Sequence, residues 1–88
     1  MKAVVTVVGK DKKGIIAKIS NVLFNNDVNI LDLSQTIMQD MFTMIMLVEC
    51  EESASIKNIT EQLQVIGDEM ELSIHVQREE IFSSMHRI

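Results

Sequence analysis

A short polar segment between two glycines, GKDKKG at residues 9–14, carries the groups of this chain best suited to binding a small charged molecule. Gly14 has no Cβ, so a backbone or a ligand can approach it closely. A helix that begins there has N–H groups without partners in its first turn, and these favour a carboxylate or another anion. Lys10, Lys12 and Lys13 add positive charge to a chain of net charge −5. The alternative is a solvated turn with ordinary surface lysines.

The segment lacks the spacing of a nucleotide site. Ile15 follows Gly14, where a phosphate loop of the form G-x-x-x-x-G-K-[ST] requires lysine, and G-x-G-x-x-G is also missing. The two histidines, His75 and His86, have no Cys, His or Asp neighbours at metal-ligand spacing. The chain also has no Gly-x-Ser-x-Gly elbow. We therefore expect no catalytic residues, no metal, no cofactor and no enzymatic activity.

Composition excludes several further classes of protein. The 88 residues form one domain, and a pI near 4.8 argues against nucleic acid, whose binding depends on neutralised phosphates. No apolar run approaches the ~18 residues that span a bilayer, and the N-terminus does not resemble a signal peptide. We therefore expect no membrane partner and a cytoplasmic location. Cys50 is the only cysteine, which excludes an internal disulfide and favours a small buried apolar role.

The elements that position the polar segment follow from hydrophobic periodicity. Residues 3–8 are almost all β-branched and predict a strand buried on both faces, with a loop from Gly9 to Gly14. A helix follows over residues 14–24, with Asp11 as its N-cap and the turn 25–27 at its end. Its core-facing stripe consists of Ile15, Ile16, Ile19, Val22 and Leu23.

The middle of the chain alternates between apolar and polar residues, which predicts a hairpin. Residues 29–39 form a half-buried strand, and residues 42–50 form a second strand after a tight break at Asp40-Met41. One face of the first strand carries Leu31, Leu33 and Ile37, and the other carries Asp32, Ser34 and Thr36.

The second half repeats the order of helix and strand. Ser53 is the expected N-cap of a helix in which Gly67 helps the last turn to stop, and residues 71–79 alternate as a final strand. The apolar stripe of this helix consists of Ile56, Ile59, Leu63, Ile66 and Met70.

The order β-α-β-β-α-β predicts an α+β, ferredoxin-like sandwich, with a four-stranded antiparallel sheet and two helices on one face. We assign residues 1–79 to this single domain and residues 80–88 to an apolar C-terminal tail that forms a short helix. The stripe of the tail consists of Ile81, Phe82, Met85 and Ile88. It either packs on its own domain or docks onto a second subunit.

Taken together, VVTVVGKDKKGIIAKISNVLFNNDVNILDLSQTIM resembles an ACT domain, a small regulatory module that typically binds amino acids. The resemblance covers residues 1–78 and is most specific in the first half. It is strongest to free-standing ACT proteins similar to the glycine cleavage system repressor and to the N-terminal segment of formyltetrahydrofolate deformylase. The form D-x-x-G-I/L-x-x-x-I-x-x-x-L and the N-I of the second strand appear as Asp11, Gly14, Ile15, Ile19, Leu23 and Asn29-Ile30.

This resemblance implies a ligand site at the interface of two ACT domains. The loop after the first strand and the start of the second strand would supply the contacts. Asp11 would accept from a ligand amine, the N–H groups around Gly14 and Ile15 would hold a carboxylate, and Asn29 can both donate and accept. The implied ligand-binding residues are Gly9, Lys10, Asp11, Gly14, Ile15 and Asn29.

The resemblance also implies a homodimer whose two sheets merge into one of eight strands, and a regulated protein partner. The repressor-like relatives carry two ACT units and this chain has one, so two chains would have to supply the pair. A second hypothesis is a protein–protein interaction subunit without a ligand, which uses the sheet edge and the tail. A small enzyme of this fold class is disfavoured, because the loop has neither the arginine of an acylphosphatase site nor a Cys-x-x-Cys metal site.

Overall fold

The computed structural model describes residues 1–51 and 55–85. The elements are β1 (Lys2–Lys10), α1 (Ile15–Asn25), β2 (Asn29–Met38), β3 (Met41–Glu49), α2 (Ile56–Met70), β4 (Leu72–Arg78) and α3 (Glu79–Met85). The strands form one antiparallel sheet in the order β2-β3-β1-β4. The predicted ferredoxin-like β-α-β-β-α-β fold is therefore confirmed.

The core lies between one face of this sheet and the helices α1 and α2. Alternate residues of the two central strands point into it, because successive side chains of a strand face opposite sides. Burial of each large aliphatic side chain stabilises the folded state by about 1.5–3 kcal/mol relative to leaving it exposed. The buried residues of β1 and β3 on this face are Ala3, Val5, Val7, Phe42, Met44, Met46 and Val48.

Burial of β1 on its second face is partial. Val4 is only 5% exposed there, whereas Thr6 and Val8 are half-buried. The short helix α3 contacts β1 and β4 and lies across the face of the sheet opposite α1 and α2. Its Phe82 is half-buried, and Ile81 remains half exposed. Ile88 of the predicted tail stripe lies outside the described residues.

Helix α1 buries a narrower stripe than its sequence predicts. Ile15, Ile19 and Leu23 are buried, but Ile16 is 39% exposed and Val22 is half-buried. The turn after the helix behaves as predicted, because Asp27 adopts the left-handed conformation with φ 56°.

The prediction that β2 is half-buried is wrong within a single chain. All ten of its residues are exposed, because β2 is an edge strand and pairs only with β3. A bulge at Leu31 separates the pairs Ile30–Val48 and Asp32–Leu47. The turn after β2 is formed by Gln39 and Asp40 rather than by Asp40 and Met41.

The bulge decides which residues of β2 face the helices. Directly opposed residues of an antiparallel pair point to the same face. The partners of Leu33, Gln35 and Ile37 are buried residues of β3, so these three lie on the helix side. Asp32, Ser34 and Thr36 lie on the other face, as predicted.

Helix α2 begins at Ser55, whose Oγ accepts a hydrogen bond from the Asn58 N–H at 3.1 Å. The predicted cap, Ser53, lies outside the described residues. The predicted stripe is buried at Ile59, Leu63, Ile66 and Met70 and half-buried at Ile56.

Gly67 serves close packing rather than termination of the helix. A Cβ at this position would lie 2.8 Å from the carbonyl oxygen of Leu72, at the start of β4. The left-handed residue that ends α2 is Glu71, with φ 57°. None of the helices in the described parts of the chain is long and apolar enough to cross a membrane.

Candidate functional site

The polar segment after the first strand is shorter than predicted. Gly9 and Lys10 belong to β1, so the connection to α1 consists of residues 11–14 alone. A Cβ at Gly9 would lie 2.6 Å from Cδ2 of Leu72, which shows that this glycine lets β4 pack closely. Lys10 lies 4.0 Å from the Asp40 carboxylate, but both side chains are more than two-thirds exposed, so this pair contributes little stability.

Two hydrogen bonds hold the connection between neighbouring elements. The Asp11 backbone N–H donates to the Asp40 carbonyl oxygen at 2.7 Å, in the turn between β2 and β3. The Lys12 ammonium donates to the Met70 carbonyl oxygen at 2.7 Å and lies 3.6 Å from the Glu71 carboxylate. A cation at the C-terminal end of α2 interacts favourably with the helix dipole. The backbone position of the connection is therefore well defined.

The N-cap of α1 is Gly14, not Asp11 as predicted. Gly14 has φ 87° and ψ 5°, a left-handed conformation that disfavours residues with a Cβ, and no side chain caps the helix there. The Asp11 backbone is instead bonded to the β2–β3 turn, three residues before the cap. The first turn of α1 contains no acidic residue. Its N–H groups therefore form an end of the helix that favours an anion.

A groove of about 280 Å³ lies between this end of α1 and the end of β2. Its size is near the lower end of small-molecule sites, which range over about 300–1,000 Å³. It combines an anion-favouring helix end, one carboxylate, one lysine, one amide and apolar walls. The lining residues are Asp11, Lys12, Gly14, Ile15, Ile16, Ala17, Gln35, Ile37 and Phe42.

Asn29 does not lie with the other predicted ligand residues. It pairs with Glu49 at the start of β2, whereas the groove is at the opposite end, beside Ile37. At about 3.3 Å per residue, the length of β2 separates the two ends by roughly 30 Å. Within one chain the structure thus brings Asp11, Gly14 and Ile15 together around the groove and leaves Asn29 apart.

Asn29 lies instead in a second groove of about 350 Å³. Three carboxylates make this groove acidic, in contrast to the lysines at the other end of the strand. Its lining residues are Met1, Asp27, Asn29, Glu49, Cys50 and Glu51.

Sequence reasoning missed the contribution of the strands to the first groove. Gln35 and Ile37 come from β2 and Phe42 comes from β3. The alternation of β2 does place Gln35 on one face with Leu33 and Ile37, so this signal was present. Nothing in the periodicity indicated that this face would lie beside the first turn of α1.

Cys50 follows β3 and is 4% exposed. Burial raises the pKa of its thiol, and the nearby amino group of Met1 opposes that shift only in part. The thiol therefore stays protonated and unreactive at neutral pH. Across residues 1–51 and 55–85, no three His, Cys, Asp or Glu side chains are grouped to hold a metal ion.

A family model, a similar sequence and two solved structures match this chain. The family model of the ACT domain matches residues 2–77. A UPF0237 protein of Clostridium perfringens is 52% identical over 89 residues, which cover 100% of both chains. The solved ACT domain protein from Streptococcus pneumoniae is 36% identical, with a TM-score of 0.80 over 93% of each chain. A solved putative glycine cleavage system transcriptional repressor is 26% identical, with a TM-score of 0.78 over 88% of this chain and 44% of its own.

Proposed function

The chain belongs to the ACT domain family, and on that premise we propose that it is a non-catalytic regulatory domain that binds an amino acid between two copies of itself. One observation carries this proposal: the uncapped N-terminus of α1 faces a groove whose opposite wall is the uncovered edge strand β2.

The groove supplies complementary groups for both ends of an α-amino acid. The N–H groups that follow Gly14 would hold the carboxylate, since they form the positive end of the α1 dipole. The Asp11 carboxylate would accept from the ammonium group. Ile37 and Phe42 would contact the ligand side chain, so the size of the groove selects small side chains.

A second copy of the chain fits the edge of β2. An exposed edge strand has unpaired backbone N–H and C=O groups that can bond to another strand. On the helix side of this edge, Ile16, Leu33 and Ile37 are 39%, 38% and 51% exposed. Antiparallel pairing of two β2 strands about a two-fold axis would bond the two edges, cover these side chains and join the sheets into one of eight strands.

Such a pairing would also complete the ligand site. It places the start of β2 in one chain beside the end of β2 in the other, which brings each Asn29 toward the groove of its partner. Charge supports this orientation, because the acidic end with Asp27 and Glu49 would lie near the end with Lys10 and Lys13 in the other chain.

A panel of the twenty amino acids tests the proposal on the full chain. We expect one or more to raise the Tm with increasing ligand concentration, because a ligand that binds only the folded state stabilises it. Sedimentation velocity should show a dimer. Asn29→Ala and Gln35→Leu should reduce the Tm shift, and Asn21→Ala, an exposed position on α1, should leave it unchanged. A folded dimer that no amino acid stabilises would contradict the proposal.

A second candidate function is docking to another protein without a small ligand. Phe24 of α1 is 76% exposed, and aromatic side chains are enriched at protein interfaces. In this case, Phe24→Ser and removal of residues 80–88 should weaken assembly with the partner, and amino acids should have no effect on the Tm. Undiminished assembly in both variants would exclude this function.

A further inference from the structure

The face of the sheet opposite α1 and α2 carries a groove of about 410 Å³, which belongs to neither of the grooves described above. We propose that this groove binds an uncharged planar heterocycle with hydrogen-bond donors and acceptors on its edge, of the kind found in nucleobases and nicotinamide. Its lining residues are Thr6, Ile45, His75, Gln77 and Phe82.

Four elements bring these side chains together. Thr6 of β1 is the register partner of both Ile45 in β3 and His75 in β4, so the three form one row across the sheet. Neighbouring strands are about 4.8 Å apart, and the row is therefore about 10 Å long. Gln77 lies two residues further along β4, on the same face. Phe82 reaches the row from α3.

The groove offers apolar contacts for the face of a ring. Phe82 and Ile45 supply these contacts, and a heterocycle can stack on the aromatic ring of Phe82. Among the five lining residues there is no Asp, Glu, Lys or Arg. These five described side chains offer a ligand no formal countercharge, which favours an uncharged molecule.

The polar side chains of the groove suit the edge of such a ring. The Gln77 amide carries two donors and an acceptor, so it retains capacity for a ligand beside any contact within the chain. The Thr6 hydroxyl both donates and accepts. A hydrogen bond of 3.1 Å between Ser73 Oγ and His75 Nε2 engages one ring nitrogen and orients the imidazole. Together, these groups can pair with the alternating C=O and N–H groups of an amide-bearing ring.

Occupation of the groove would also affect α3. This helix begins at Glu79, directly after the last residue of β4. A ligand in contact with both Gln77 and Phe82 would bridge β4 and α3 and hold the helix against the sheet. Binding at this face should therefore protect the backbone amides of α3 from hydrogen exchange.

Titration of the ¹⁵N-labelled full chain with nicotinamide or uracil tests the proposal, with toluene as a planar probe without polar edges. We expect saturable shifts of the Thr6, Gln77 and Phe82 amides and none at Gly14. Thr6→Val and Gln77→Met should each weaken binding roughly tenfold, the effect of one lost hydrogen bond. Asn21→Ala, at an exposed position on α1, should bind as the unaltered chain does.

Several results would overturn the proposal. If toluene bound with the same affinity as nicotinamide and uracil, shape alone would govern binding, and recognition of the ring edge would be refuted. Unchanged affinity in folded Thr6→Val and Gln77→Met would refute the assigned contacts. Shifts centred on Gly14 and Gln35, or no saturable shift with either heterocycle, would refute the site itself.

Discussion

Replacement of Gly14 isolates one physical effect at the candidate amino-acid site. The residue has φ 87°, and a Cβ added there would have no heavy atom within 4 Å beyond its neighbours in the chain. Gly14→Ala therefore changes the backbone energy without creating a clash. The left-handed conformation costs an L-residue about 1–2 kcal/mol. Alanine also lowers the conformational entropy of the unfolded chain, which offsets about 0.4–1 kcal/mol of this cost. The net destabilisation is therefore about 1 kcal/mol.

Urea unfolding at one fixed protein concentration measures this effect, and the fixed concentration prevents dimerisation from altering the comparison. A loss of 1 kcal/mol corresponds to a fall in Tm of about 4–8 °C for a domain of this size. Gly14→Asn should lose less than Gly14→Ala, because asparagine tolerates the left-handed region better. Lys13→Ala is the matched control at an exposed neighbour. If Gly14→Ala were as stable as the unaltered chain, or if Asn cost as much as Ala, the assignment of strain to Gly14 would be refuted.

Three further predictions concern the scaffold. Gly67→Ala should destabilise the fold by about 1 kcal/mol despite the better helix propensity of alanine, because the new Cβ would clash with the Leu72 carbonyl oxygen. The urea midpoint of the variant measures this effect, and a gain in stability would contradict the prediction. Because the pKa of Cys50 is raised, its contribution to stability is complete below the ordinary thiol pKa of about 8.5 and is lost as pH rises further. Cys50→Ala should show less alkaline loss between about pH 7 and about pH 10, and an identical loss would exclude this cause. Lys12→Met should cost about 1 kcal/mol through its bond to the end of α2, and Lys13→Met should cost little; equal urea midpoints for the two would refute the role of Lys12.

Much of the fold follows from local patterns. The stripe of α2 was predicted correctly at Ile59, Leu63, Ile66 and Met70, because apolar spacing along a helix directly determines which face can be buried. The order of elements predicted the fold class, because a β-α-β-β-α-β chain has few ways to pack both helices against one sheet.

The candidate site was predictable only in part. Gly14 was recognised as the start of α1, but the N-cap is Gly14 itself, in a left-handed conformation, and not Asp11. The neighbouring wall of Gln35, Ile37 and Phe42 comes from strands more than twenty residues away. Contacts between elements at such separations depend on how the sheet is assembled, and local periodicity does not encode them.

The sequence by itself determined the kinds and order of the elements, the buried face of α2, and the chemical character of the 9–14 segment. These properties depend on the spacing of residues along one element, so they are present before the chain folds. Only the tertiary structure decided that β2 is an exposed edge, that Leu31 forms a bulge, and that Asn29 lies a strand length from the groove beside Gly14. An alternating strand has the same pattern at the centre of a sheet as at its edge. Its exposure depends on which other strands and helices, or which second chain, pack beside it.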